Sequence, residues 1–249
     1  MRRFFYFYIM MFPLLLWGNV VTIATAANVS YAMADLKKAF LRTHPRDALR
    51  IIIGSSGKLT AQIRNGAPYD LFLSADLAYP QSLYREKLAL TPPKVYARGT
   101  LALLSGRERD FSRGLDLLKD PAIRCIAIPN PRTAPYGIAA MQALKKSGLY
   151  PGIKSKLIYG ESVAQTVSYT LTAADIGIVA GSVLYAKTMQ KYQKGHHWLP
   201  LDPSLYEPIR QGAVLLKHGA KNPDAAAFFR FLLSEEAAKI FQRYGYLRP

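Results

Sequence analysis

The chain has little with which to build covalent or metal-held structure. Its 249 residues include one cysteine, Cys125, so no disulfide forms within the chain and no thiolate metal site can be assembled. Cys125 lies in an apolar strand-like run, Ile123 to Ile128, and reads as a buried structural residue. Histidine is scarce as well. His44, His196, His197 and His218 lie in no nucleophile or metal-ligand motif, and a catalytic thiol would need a base beside it. Acidic residues are few, 16 against 33 Lys and Arg, for a formal charge of +17. That surplus raises nucleic acid as a partner, but the basic residues are scattered, with no Arg/Lys block interleaved with aromatics. No nucleic acid is therefore expected. Diffuse positive charge draws in any anion and equally serves solubility. Low-complexity segments are absent, and half of the residues are hydrophobic, which excludes a disordered chain and leaves ample material for a sizeable core.

What is present begins with an address. Met1-Arg2-Arg3 is a positive start, and Phe4 to Trp17 is an apolar run of about 14 residues, the length of a signal-peptide core and too short for a comfortable membrane span. Residues 1–18 are read as a signal peptide that exports the protein to the periplasm, an uncleaved anchor being the alternative. Ala24-Thr25-Ala26 is the best cleavage site by local pattern. Yet VVTIATAA (Val20 to Ala27) alternates like a strand and runs straight into Asn28 and an amphipathic helix carrying Met33, Leu36 and Phe40. Cutting after Ala26 would remove that strand, so cleavage near Gly18 is expected.

The centre of the chain is Ile51 to Asp76. A β-branched run (Ile51, Ile52, Ile53) breaks at Gly54-Ser55-Ser56-Gly57 and restarts as a helix through Leu59 and Ile63. Asn65-Gly66 stops that helix, and Leu71-Phe72-Leu73 is a second strand ending in Ser74-Ala75-Asp76. The pattern is a βαβ unit with small residues at the carboxyl end of each strand, the edge where open α/β sheets bind ligands. Further on, Ala78 to Lys87 is a polar helix ended before Thr91-Pro92-Pro93, and Val95 to Leu104 is one long strand. The plan then repeats. Cys125 to Ile128 is a strand, Pro135 is a first helical residue, and Tyr136 to Lys146 is the helix. Lys156 to Tyr159 is another strand, Ser162-Val163-Ala164-Gln165 has capping-box form, and Asp175 to Ala180 is a buried strand. Gln211 to Lys217 reads as a returning strand. Two amphipathic helices close the chain, with stripes at Ala225, Phe228, Phe229, Leu232 and at Ala237, Ile240, Phe241, Tyr244.

The stretch GSSGKLTAQIRNGAPYDLFLSAD (Gly54 to Asp76) resembles the core motif of periplasmic molybdate-binding proteins, the substrate receptors of molybdate ABC importers. The closing EEAAKIFQRYGYLRP resembles the tail of the same family, and Ala26-Ala27-Asn28 resembles the first ligand loop of one subgroup. The resemblance implies an α/β fold, the two-lobed periplasmic-binding-protein fold of type II. Each lobe is a mixed sheet flanked by helices, with the ligand cleft between. Residues 19–97 and 210–249 would form one discontinuous lobe and 98–209 the other, with Val95–Leu104 and Gln211–Lys217 crossing between them. It further implies capture of molybdate or tungstate through Asn28, Ser56, Ala75, Tyr136 and Val163, the last by its backbone N–H, with no direct bond from protein to metal and no cofactor. Asn28 and Ser56 would donate from side chain and backbone, and Tyr136 from either. The expected partners are the oxyanion and the membrane permease of an ABC importer, the receptor itself being a monomer.

The residues support that chemistry on their own terms. Strand ends feed helix starts at Asn28, Ser56, Tyr136 and Val163, and free N–H groups there suit an anion. Neutral donors in fixed positions discriminate among anions better than a contacting Lys or Arg. Departures from the family remain: Ala180 stands where many members carry Tyr, and Lys58 follows the GSSG turn where a neutral residue is usual. Lys58 would point to solvent or loosen selectivity toward sulfate or phosphate. A phosphate receptor needs a carboxylate acceptor, for which only Asp70 and Asp76 lie close in sequence, and an amino-acid receptor has only Arg132. An enzyme on the same fold would have Ser55 or Ser56 as nucleophile but no His or Glu at hand, so no catalysis is expected.

Overall fold

The computed structural model describes residues 20–249; the expected signal segment and its cleavage point lie outside the described residues. The first half-lobe runs β1 (Val20–Ala26), α1 (Ser30–Thr43), β2 (Ala48–Gly54), α2 (Ser56–Arg64), β3 (Leu71–Leu73), α3 (Ala78–Arg85) and β4 (Lys94–Gly99). The second lobe contains β5 (Leu101–Leu104), β6 (Ile126–Pro129), α4 (Pro135–Lys146), α5 (Tyr150–Ile153), β7 (Leu157–Gly160), α6 (Val163–Thr172), β8 (Ile176–Ala180) and β9 (Trp198–Pro200). The chain then returns through β10 (Ile209–Leu215), α7 (Pro223–Leu232) and α8 (Glu235–Arg243).

These strands make two five-stranded mixed sheets, in the orders β2-β1-β3-β10-β4 and β7-β6-β8-β5-β9. In the first, β1 lies between β2 and β3, parallel to both, with Ala26 opposite Gly54 and Thr25 opposite Leu73. In the second, β6 lies parallel to β7 and β8, with Pro129 opposite Gly160. Parallel strands end together, so each sheet presents one carboxyl edge from which its helices depart. β1 is an internal strand, and its alternating VVTIATA puts Val21 and Ile23 under α1, α7 and α8 and Ala24 under α2 and α3.

The first lobe packs on both faces of its sheet. Leu36, Phe40, Phe228 and Phe241 fill one side, and Leu59, Ile63, Phe72 and Leu83 fill the other. Burial of each such side chain contributes roughly 1.5–3 kcal/mol. The second core gathers Leu101, Ile126, Ile128, Ala140, Leu144, Ile176 and Ile178. Ala26, Ala27 and Ala75, all from the first lobe, pack into that second core, so the two lobes are pressed together.

Several expectations are corrected. The long strand through Val95–Leu104 is two strands: β4 belongs to the first sheet and β5 to the second, divided at Thr100, whose carbonyl accepts from Gly181 N–H at 2.7 Å. A strand that changes sheets must leave one ladder before joining the other. The Tyr136 hydroxyl and Gln211 amide sit over Gly99 at that break, where any side chain would overlap them. The third helix stops at Arg85, and Lys87 turns the chain out with φ 58°. Cys125 is half-buried and precedes β6, because its N–H donates to Asp175 Oδ2 at 3.0 Å instead of entering the ladder. In the tail, Tyr244 is only partly buried and bonds Asp35, whereas Tyr246 is the buried tyrosine.

Candidate ligand site between the lobes

Asn28 follows β1, Ser56 starts α2 after β2, and Ala75 follows β3, so all stand on the carboxyl edge of the first sheet. Tyr136 in the first turn of α4 and Val163 at the start of α6 stand on the corresponding edge of the second. Bonds across the gap show the edges facing one another. Gly57 N–H donates to Thr133 O at 2.9 Å, and Ser182 Oγ donates to Asn28 O at 3.1 Å. All the expected site residues are buried, Asn28 and Tyr136 completely. A cavity of about 180 Å³ opens between the lobes, lined from one by Ala75 and Asp76 and from the other by Pro135, Ile138 and Ala139; of the expected site residues, Ala75 alone lines it.

Local sequence explains how the helix starts are held. Ser55 caps α2, its Oγ accepting from Lys58 N–H, and Ser162 caps α6, its Oγ accepting from Gln165 N–H at 3.3 Å. The expected box at Ser162 closes differently, with Gln165 Oε1 accepting from Glu161 N–H at 2.6 Å. Pro135 occupies the first position of α4. Gly137 lets that helix start lie directly on the carbonyl of Pro129; a methyl group there would overlap it. The first N–H groups of each helix have no partner within the helix. Ser56, Tyr136 and Val163 carry such groups on the two facing carboxyl edges.

Side-chain roles depart from expectation. Asn28 does not cap α1, which begins at Ser30 with Val29 in helical conformation and no side-chain cap. Its Nδ2 instead donates to Gln211 Oε1 at 2.8 Å and Tyr246 Oη at 2.9 Å, while Oδ1 is buried without a partner. Ala75 N–H is taken by Ser56 Oγ at 3.0 Å, so Ala75 has no donor to spare, while the Ser56 hydroxyl keeps its own proton. Tyr136 is wholly buried. Its hydroxyl accepts from Gln211 Nε2 at 3.1 Å, which leaves its backbone N–H as the group at the helix start. Lys58 is exposed to solvent, as one of the two expectations had it, and its ammonium pairs there with Glu161 Oε1 at 2.7 Å, tying α2 to the other lobe.

The charged candidates already hold protein partners or lie exposed. Asp70 lies before β3, at the far end of the sheet, where it accepts from Thr22 N–H and pairs with His218. Asp76 Oδ1 accepts from Ser74 Oγ and Tyr79 N–H; burial pushes its carboxyl above the usual range while those bonds oppose the shift. Arg132 is exposed. Among the described residues no Lys or Arg is buried.

Sequence reasoning missed Gln211, Tyr96, Tyr246 and Ser182, which surround Asn28. Tyr96 Oη lies 2.9 Å from Gln211 Oε1 and 3.0 Å from Ser74 O. Burial raises the phenols of Tyr96 and Tyr136 well above their ordinary value and that of Tyr246 to about 12, so each carries its proton. The one available signal was Gln211 itself, a polar residue next to the apolar run Ala213 to Leu216 of the returning strand.

Two mixed sheets whose carboxyl edges face one another, with no buried Lys or Arg between them among the described residues, define a two-lobed receptor for a small solute. The chain belongs to the bacterial extracellular solute-binding protein family, whose model matches residues 21–247. It is 38% identical over 229 residues to the molybdate-binding protein ModA of Azotobacter vinelandii, covering 91% of this chain and 89% of that protein. To ModA of Rhodobacter capsulatus it is 35% identical over 233 residues, 92% of this chain and 88% of the other. Among solved structures it is similar to the periplasmic molybdate-binding protein of Azotobacter vinelandii, with TM-score 0.84 and 32% identity over 92% of this chain and 99% of that one.

Proposed function

We propose that this protein is an extracytoplasmic receptor that closes its lobes over a molybdate or tungstate dianion and delivers it to the membrane permease of an ABC importer. The observation that carries this reading is the buried gap between facing sheet edges, ringed by the helix starts at Ser56, Tyr136 and Val163 and by no buried Lys or Arg. Ser56 donates its hydroxyl proton and backbone N–H, Tyr136 and Val163 their backbone N–H, and Asn28 completes the first edge. Ala75 shapes the wall and orients Ser56. Hydrogen bonds to a charged group contribute about 1.5–3 kcal/mol each, and each helix start adds about 0.3–1 kcal/mol, more where partly buried. Several such bonds, less dehydration of the anion, are enough for micromolar or tighter binding. The names of the similar proteins agree with this ligand. Export by the segment 1–18, a monomeric state and the absence of any cofactor belong to the same proposal.

One observation favours a second reading, a receptor for a protonated tetrahedral oxyanion such as hydrogen phosphate: the buried, partnerless Asn28 Oδ1 is an acceptor. Calorimetric titration of the purified protein with molybdate, tungstate, sulfate and phosphate separates the two. Tight binding of molybdate and tungstate with little heat from the others supports the first reading, and equal binding of sulfate or preference for phosphate overturns it.

A further inference from the structure

Behind the proposed site lies a closed cluster of hydrogen bonds whose protons do not add up in one direction. Asn28 Nδ2 serves Gln211 Oε1 at 2.8 Å and Tyr246 Oη at 2.9 Å, and Gln211 Nε2 serves Tyr136 Oη at 3.1 Å. The Tyr96 hydroxyl faces two acceptors, Gln211 Oε1 at 2.9 Å and Ser74 O at 3.0 Å, with a single proton to give. Asn28 Oδ1 is left buried and unpartnered, which costs the desolvation of that oxygen.

Turning both amides by half a revolution leaves every heavy atom in place and reverses the polarity. Gln211 Nε2 then donates to Asn28 Oδ1 and to Tyr96 Oη, across the same 2.8 and 2.9 Å. The single proton of Tyr96 goes to Ser74 O, and the Tyr136 hydroxyl donates to Gln211 Oε1. Tyr246 donates to Asn28 Oδ1, because Ser182 Oγ already serves Asn28 O at 3.1 Å. Every group inside the cluster is satisfied. The end of the Asn28 amide without a protein partner is now its NH₂, with two protons on offer at the sheet edge shared with Ser56.

We propose that Gln211 is a positioning residue that sets the polarity of the Asn28 amide. In the anion-bound protein the pair is turned so that Asn28 presents both N–H groups to a fully deprotonated oxyanion. Gln211 sits on β10 of the first sheet and acts on the ligand only through Asn28. An amide is required there because it must donate to Asn28 and Tyr96 while accepting from Tyr136. The device also selects: an anion bearing its own O–H finds no acceptor at Asn28, whereas a dianion finds two donors.

This inference rests on the receptor reading above, and the experiment separates the two. Calorimetry first establishes that the wild-type protein binds molybdate; if it binds none, the receptor reading fails and the inference falls with it. With binding established, the side-chain amide signals of Asn28 are followed in ¹⁵N-labelled protein, assigned by their absence from Asn28→Ser. Saturating molybdate is expected to shift both protons downfield and slow their exchange. Unmoved Asn28 amide protons in the molybdate-bound protein overturn the inference while leaving the receptor intact. Two variants then address Gln211. Gln211→Met, which can neither donate nor accept, is expected to lose at least tenfold in affinity. Gln211→Glu is expected to bind progressively more weakly, by at least tenfold, as pH rises from 5.5 to 9 and its carboxyl loses the donor proton, with the wild type nearly flat. Wild-type affinity in Gln211→Met, or a Gln211→Glu profile parallel to wild type, overturns the positioning role.

Discussion

The two edges that meet at the candidate site are built from the same strand-to-helix plan but use different atoms. On the first, side chains are wired to one another before any ligand arrives: Ser56 Oγ holds Ala75 N–H, and Asn28 is held by Gln211 and Tyr246. On the second, the side chains are spent on other bonds. The Tyr136 hydroxyl crosses to Gln211 and Ser182 Oγ to Asn28 O, Ser162 caps its own helix, and what its helix starts keep for a ligand is main chain. One lobe offers chemistry that substitution can delete. The other offers geometry that substitution can only loosen.

That contrast sets the order of expected effects. Ser56→Ala removes a donor to a buried dianion and the acceptor for Ala75 N–H, so molybdate affinity should fall about ten- to a hundredfold, or roughly 1.5–3 kcal/mol, with the apo protein still folded. Titration beside an apo melting curve measures it, and wild-type affinity in a folded variant would reduce the GSSG turn to a turn. Ser162→Ala, on the second edge, should act through its helix. Loss of the cap lowers stability by about 0.5–2 kcal/mol and affinity only severalfold as the Val163 N–H loses its fixed direction; a loss as large as that of Ser56→Ala would erase the distinction between edges.

Tyr136→Phe should be milder for binding than for folding. The hydroxyl serves Gln211, so about 0.5–1.5 kcal/mol of stability is lost while affinity changes by less than about fivefold. A collapse of affinity at unchanged melting temperature would mean that the hydroxyl, not the backbone, reaches the ligand. The smallest effect is expected for Lys58→Ala. The Lys58–Glu161 pair is half-exposed on both sides, and such pairs contribute about 0–1 kcal/mol. Ligand release, followed by stopped-flow fluorescence, should quicken about two- to fivefold at low salt and match the wild type at high salt. A salt-independent effect would place Lys58 in contact with the anion rather than across the gap from it.

Much of this was open to reading because helix starts and strand runs are local. Ile51–Ile53, the GSSG turn and Leu71–Leu73 specify a βαβ unit within one short stretch, and Pro135 and Ser162 mark helix starts by their own chemistry. The edges on which Asn28, Ser56, Tyr136 and Val163 stand follow from the parallel pairing that such units adopt. Less local features were misread. Val95–Leu104 has the composition of one strand, and only the presence of two ladders splits it.

By itself, then, the order of residues determined the βαβ units and the places where helices start after strands, since backbone preferences over a few residues settle those. Tertiary structure alone decided what the side chains at those places do. Asn28 and Gln211 lie 183 positions apart, Asn28 and Tyr246 lie 218 apart, and Lys58 and Glu161 lie 103 apart. Nothing in the neighbourhood of Asn28 says that its amide will be held by a glutamine from a returning strand and a tyrosine from the tail. Only packing that buries these groups together forces them to pair, because a buried donor or acceptor without a partner costs more than the bond it would make.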